Sequence, residues 1–404
     1  MGEAAPAREW HDRACAAAPD DAIIAAARIL DAPWLDGGAT DGLTADWLKR
    51  FVRPGKPRHW RPAGDKITIA YLVSRFADPH DAAAVAAVAR AHVRSGAVVI
   101  GYGLGAQSWD ENAVLGGAFD KWRDITGLDP ATLARTITVD GAAVVVDCAG
   151  FAAPGHLLTL ARIPGAVRVG WHGQAAGLGQ AVYDAVIAPA GQHDPEAEVW
   201  DGGCGGYPLM RDWSRPRQRI ADAALRFGSD AYLRQIDARS VELWLAALEA
   251  VPGSVLLLRA NDMASTQNIA RLVGRFGEGA AARVDVIDAA ADDFYRQVDV
   301  ALAPVTGWSA RMAAEALACG VPMVALDSAG PYGAWLRDVG LSDFVAATPG
   351  AYVERASAVA QSSDELSLAR AAAEAVAECG AGTAAAIAAA IEQSARTMLA
   401  KASA

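Results

Sequence analysis

The chain is short of the features that mark several specialised classes of protein. Its five cysteines, Cys15, Cys148, Cys204, Cys319 and Cys379, are scattered and form no CxxC pair. That spacing argues against a thiolate metal site and a disulfide framework, and it fits a reducing compartment. Positive charge is also in deficit. Lys and Arg number 36 against 47 Asp and Glu, a net charge of −11, so nothing draws the chain generally to nucleic acid or to an anionic membrane. Long apolar runs are missing: the alanine-rich stretches 82–91 and 371–390 are interrupted by charges, and neither reads as a membrane span. The opening MGEAAPAREWHD lacks a basic segment followed by an apolar core, so no secretory leader is expected and the expected location is cytoplasmic. No convincing 34-residue period is found, although residues 1–50 have room for one tetratricopeptide-like unit. The neighbouring acids Asp292 and Asp293 read as solvated, and no metal is expected.

What is present is a composition suited to packed domains. Of 404 residues, 53% are hydrophobic and 21% charged, enough for two domains of ordinary size. Residues 1–50 read as about three short helices, followed by a Pro/Gly/basic linker at 53–64. Apolar strands are then expected at 66–73, 97–102, 142–147, 166–171 and 183–189, with helices at 82–94, 129–136 and 156–162 between some of them. The Gly-, Pro- and Arg-rich stretch 201–219 reads as an interdomain hinge. Beyond it a second alternation begins, with strands near 254–259 and 284–288 and helices near 240–250 and 268–276. Alanine-rich helix runs from 347 to the end. The expected organisation is therefore a helical cap and linker (1–60), a first α/β lobe (61–210) and a second (211–404) that carries the C-terminal helices.

The stretch 298–326, VDVALAPVTGWSARMAAEALACGVPMVAL, is the most informative. An apolar run ends at Thr306-Gly307, and Ser309 can cap a helix with apolar positions at Met312, Ala316, Leu317 and Cys319. Gly320 stops the helix and Pro322 opens a second apolar run, giving one βαβ unit with parallel strands. Ligands of such units bind at the carboxyl end of the first strand. There, Glu315 in the second helical turn can accept hydrogen bonds from a ribose diol while the helix N-terminus faces phosphate. Taken alone, Glu315 reads more readily as a solvated helix residue than as a ligand.

An acid five residues before the glycine of a (C/A)-G-x-P-x-V turn resembles the nucleotide-sugar element of GT-B glycosyltransferases. The whole stretch is similar to the C-terminal lobe of glycosyltransferase family 41, the O-linked N-acetylglucosamine transferase and SPINDLY-like group. Three further blocks resemble that family in order: KITIAYLVSRFADPHD, the segment from AFDKWRDITG to VVVDCAG, and ARIPGAVRVGWHGQAAGLG. FGSDAYLRQIDARSVELWLAALEAVPGSVLLLR adds a fourth. Together they span roughly residues 66–398. The resemblance implies two facing Rossmann-like lobes, a nucleotide-sugar donor, transfer to a protein Ser or Thr, and no cofactor or metal beyond the donor itself.

The departures from the family pattern fall on the chemical positions. The family's first-loop histidine is replaced by Pro79, with His80 one place on as the candidate general base. Its N-G-H-T becomes Ala149-Gly150-Phe151-Ala152, which puts Phe151 at the acceptor side. Its donor-phosphate lysine is Gln235, with the adjacent Arg234 able to supply a cation. Its H-T-T-G turn reads Trp308-Ser309-Ala310-Arg311, which leaves Gly307, Ser309 and Arg311 as donor-binding candidates. His156, at a family arginine position, and His172, on a glycine loop, are acceptor or cleft candidates. Two explanations stand open. In one, the donor carries a single phosphate and its own carboxylate, as a CMP-activated nonulosonic acid does, with a flagellin-type acceptor; an ordinary UDP-GlcNAc donor remains the family's choice. Otherwise the chain is a catalytically inactive scaffold or regulatory binding protein. Gly101–Gly105 superficially resembles a dinucleotide fingerprint but lacks the following helix and acid. Asp147 reads as ordering its loop, and Trp122 and Trp244, at helical spacing, as core.

Overall fold

A computed structural model of the chain describes all residues except 1–3, 36–40, 53–65, 75–78, 105–114, 116, 172–177, 189–196, 202–207, 209–223, 261–264, 306–309, 328–335, 338–339, 379–383 and 403–404. It divides into two compact units. One runs from Ala5 to Pro208 and takes back Thr383–Ala404; the other is Leu209–Gly382.

The first unit is built on a seven-stranded parallel sheet, β1 (Thr68–Val73), β2 (Val98–Gly103), β3 (Lys121–Asp124), β4 (Val144–Asp147), β5 (Val167–Gly170), β6 (Ala185–Ala188) and β7 (Glu198–Asp201). The order across the sheet is β3-β2-β1-β4-β5-β6-β7. Central strands are buried on both faces, as parallel sheets require, and the pleat divides their side chains between two cores. Ile69, Tyr71 and Val73 point to one core, together with Val144 and Val146. Ala70 and Leu72 point to the other, with Val145. The helix Pro130–Val139 shows why local sequence suffices for many elements. Asp129 accepts from the amides of Ala131 and Thr132, and Pro130 fills the first turn, where its missing N–H costs nothing.

Several expectations change here. Segment 119–127 contains a strand, β3, so Trp122 sits on a strand rather than a helix. β7 was not expected, since its short EVWD sequence carries no apolar run. A Cβ on Gly101 would lie 2.5 Å from the Trp122 ring, and one on Gly103 would also collide with it. Gly101 and Gly103 therefore make room for a neighbouring indole. The helices Ala22–Leu35 and Asp41–Phe51 are part of the first unit's core, through Ala26, Ile29 and Trp47. The last helix, Ala384–Ala402, also packs in this unit, through Ile387, Ile391, Ala395 and Leu399, and not with the second alternation that precedes it in sequence. Hydrogen bonds anchor it: Glu392 Oε1 lies 2.7 Å from Nδ1 of His92 and accepts from Ser95 Oγ at 2.6 Å.

The second unit repeats the plan with six parallel strands, β8 (Arg226–Ser229), β9 (Val255–Arg259), β10 (Val284–Ile287), β11 (Val300–Leu302), β12 (Met323–Leu326) and β13 (Val345–Ala346). Their order is β10-β9-β8-β11-β12-β13. In both units the order reverses between the first and fourth strands, the topological switch point where doubly wound sheets bind ligands. Gly228 in β8 is set against Val298, whose methyl groups would overlap any Cβ there.

Candidate functional site

At the switch point of the second unit the strand ends deliver charge. Asp230 follows β8 directly, and Arg259 is the last residue of β9. Arg311 and Glu315 lie one turn apart on the helix Ala310–Ala318 that follows β11. All four are buried. Arg311 Nη1 donates to Asp230 Oδ2 at 3.0 Å and to Glu315 Oε2 at 2.6 Å. Arg259 Nη1 donates to Asp230 Oδ1 at 3.1 Å, and its Nε donates to the Ala289 carbonyl at 2.9 Å. Two guanidinium groups thus meet two carboxylates, so each buried charge has an opposite partner, the condition under which burial is tolerated. Burial pushes the Tyr295 hydroxyl well above its ordinary pKa, and the negative charges of Asp230 and Glu315 push it the same way. That hydroxyl stays a donor, to the Met312 carbonyl at 3.2 Å.

The loop after β8 wraps this cluster. The Tyr232 ring lies 5.6 Å from the Arg311 guanidinium and 5.3 Å from that of Arg234, distances typical of cation–π pairs. Arg234 is exposed. Gln235 is buried, and its side-chain oxygen accepts from the Tyr232 amide at 2.7 Å. Asp237 caps the helix Ala238–Ala250, and Ser240 Oγ accepts from the Val305 amide at 2.9 Å, which ties the start of that helix to the chain leaving β11.

The structure thus brings together Glu315, Arg311 and, through Tyr232, Arg234. The side-chain oxygen of Gln235 serves its own turn. Phe151 is corrected. It is buried in the core of the first unit, edge-on to Trp47 at 5.3 Å, and does not line an acceptor surface. His156 is buried rather than a surface histidine, 3.1 Å from Asp147. Gly307, Ser309, Trp308 and His172 lie outside the described residues. So does the side chain of His80, which sits near the start of the helix Pro79–Ser95. Asp230 and Arg259 were missed. The available signal was position, a charge at the carboxyl end of an apolar strand, although position alone does not reveal that they meet Arg311. Among the described residues no group of three or more His, Cys, Asp or Glu is placed to hold a metal ion. No described helix is long and apolar enough to cross a membrane.

The architecture has counterparts among solved structures. The chain is similar to a Thermobaculum terrenum O-GlcNAc transferase, solved as a lysine-to-methionine variant, with a TM-score of 0.85 and 24% identity over 99% of this chain and 82% of that one. A glycosyltransferase from Rickettsia africae matches with a TM-score of 0.60 and 12% identity, over 83% of this chain and 99% of that one. Anabaena HepE, solved in complex with UDP-glucose, matches with a TM-score of 0.50 and 14% identity, over 83% and 98%. No family model matches the chain, and no curated protein matches it in sequence. The fold is that of the GT-B glycosyltransferases, and the resemblance to the O-GlcNAc transferase group read from the sequence holds at the level of fold.

Proposed function

We propose that the protein is a glycosyltransferase, moving a sugar from a nucleotide-sugar donor to a hydroxyl acceptor, a protein Ser or Thr by the family resemblance. One observation carries the reading: a buried Glu–Arg–Asp–Arg cluster stands at the switch point of the second sheet, at the start of the helix after β11. Nucleotides bind doubly wound sheets at this place, with phosphate toward a helix N-terminus. In this reading Glu315 holds the ribose, Arg311 and Ser309 the phosphate, and Arg234 assists from the exposed rim. The complex of HepE with UDP-glucose makes a nucleotide sugar the natural donor class to test. Arg311 already meets two carboxylates, so it brings less positive charge to a diphosphate than an uncommitted cation. A donor with one phosphate, such as a CMP-activated acidic sugar, suits this balance better than UDP-GlcNAc.

Gln235 and Arg311 also support a second reading, a nucleotide-binding or scaffold protein without turnover, because their polar atoms already serve protein partners. A thermal-shift series with UDP, CMP, GDP and their sugar conjugates, on the wild type and Glu315→Gln, separates the two when paired with nucleotide release. A ligand present at about 100 times its Kd adds about 2.7 kcal/mol of stability, which moves the transition visibly. Transferase activity predicts a shift with one nucleotide, weaker in Glu315→Gln, and release from the matching sugar conjugate. A shift without release leaves the binding protein. The absence of any shift or release rejects both.

A further inference from the structure

The charge cluster of the second unit contains two residues, Asp230 and Arg259, to which the donor-binding reading gives no role. Asp230 follows β8, and Arg259 ends β9, the strand beside it. β8 also pairs with β11, and the strand order reverses between them. Asp230 therefore stands at the switch point, where doubly wound sheets bind nucleotide phosphate. Its side chain is fully buried and bridges two cations. Oδ1 accepts from Arg259 Nη1 at 3.1 Å, and Oδ2 accepts from Arg311 Nη1 at 3.0 Å. Arg259 is held in turn by the Ala289 carbonyl, 2.9 Å from its Nε.

The cluster is balanced in charge. Arg259 and Arg311 are matched by Asp230 and Glu315, and none of the four side chains is more than 8% exposed. Burial and the charges of the two carboxylates keep the neighbouring Tyr295 hydroxyl protonated, so it adds no charge. Arg234 is exposed at the rim, where solvent and salt screen it. Arg311 is the buried cation that meets phosphate in the donor-binding reading. Without the charge of Asp230, the cluster would be one unit positive, and each phosphoryl group added to a ligand would gain attraction. With Asp230 ionised that surplus is cancelled, and a second phosphoryl group meets no matching charge. The effect acts through the field of a poorly screened site and requires no contact between Asp230 and the ligand.

We propose that Asp230 is a specificity-determining residue for the donor: by neutralising Arg311 it selects a single phosphate over a diphosphate. Arg259 fixes Asp230 in place and sets how much of its charge is left for Arg311. The inference rests on the nucleotide-sugar reading of this site and narrows its donor class to a sugar activated by one phosphate. It involves the second unit alone.

The test uses the purified full chain and the free nucleotides UMP, UDP, CMP and CDP, with dissociation constants from titration calorimetry. In the wild type a diphosphate should bind no more than about tenfold tighter than the monophosphate of the same base. Asp230→Asn keeps the side chain's shape and removes its charge, and it should raise the diphosphate preference by about tenfold. Arg259→Gln should lower that preference. The double variant is neutral again and should return to the wild-type ratio. A purely structural role predicts equal losses for mono- and diphosphates in each single variant and no compensation in the double. If Asp230→Asn fails to fold, the wild-type ratio, Arg259→Gln and the balanced double variant still decide. A wild-type diphosphate preference beyond about tenfold overturns the inference, as do ratios in the single variants equal to the wild type's. A wild type that binds none of the four nucleotides overturns the nucleotide-sugar reading itself. That outcome is read before any variant is made, so the two failures are distinct.

Discussion

The two sheets have the same core strand order and the same reversal, yet they finish their switch points with different chemistry. The first closes around one carboxylate, Asp147, with amide, hydroxyl and imidazole donors. The second assembles two guanidinium groups against two carboxylates. A lone buried carboxylate needs several modest donors, each worth about 0.5–1.5 kcal/mol net and somewhat more when the partner is charged. Paired ions instead depend on each other, so removing one strands its partner. One scaffold therefore supports a graded network and an all-or-none network, and the difference can be broken experimentally.

The largest effect is expected in the second unit. Arg311→Met leaves Asp230 and Glu315 facing each other with one cation fewer, and it should cost about 3–5 kcal/mol by equilibrium denaturation. Adding Glu315→Leu should recover much of that loss. A single mutant as stable as the wild type would sink the all-or-none account. Next comes Gly228→Ala, where the new methyl meets Val298; overpacking of this kind costs about 1–3 kcal/mol, visible as a lower midpoint with an unchanged slope. Tyr183→Phe in the first unit removes one of four donors to Asp147, and about 1–3 kcal/mol is expected by the same measurement. A loss as large as that of Arg311→Met would show that the first network is not graded.

The smallest effect is a dependence on acidity at the last helix. Burial works to raise the Glu392 carboxyl, but hydrogen bonds from His92 and Ser95 outweigh it and hold the group below its ordinary value. A depressed carboxyl stabilises the fold above its unfolded-state value, and that contribution is lost as pH falls through the lower folded value. Amide hydrogen exchange should show the helix Ala384–Ala402 losing protection in that acid range, and Glu392→Gln should remove the pH dependence. Unchanged dependence in the variant would shift the cause to another group.

Much of the fold was legible because its signals are local. The apolar runs of β1, β4, β9 and β12 and the caps at Asp129 and Asp237 lie within a few residues of the elements they define. β3 and β7 were less visible because they are short and polar. KWRD has no buried residue, so it is a strand only because β2 lies beside it. The site was legible in part. Glu315 and Arg311 share one helix and a family-like turn, so spacing revealed them. Motif position does not show which neighbours Phe151 and Gln235 meet: Trp47 packs on the ring and the Tyr232 amide donates to the oxygen.

The sequence by itself determined that two α/β units follow one another, that helices cap the first, and that an acid stands on the helix after β11. These follow from hydrophobic period, turn residues and capping, which act over a few residues. Only the tertiary structure decided that the last helix returns to the first unit and that Asp147 claims His156. It also decided that Asp230 and Arg259, 81 and 52 positions before Arg311, close the charge cluster around it. Burial of ions and pairing of strand ends depend on neighbours that packing supplies, and no local pattern specifies which distant residue will be the neighbour.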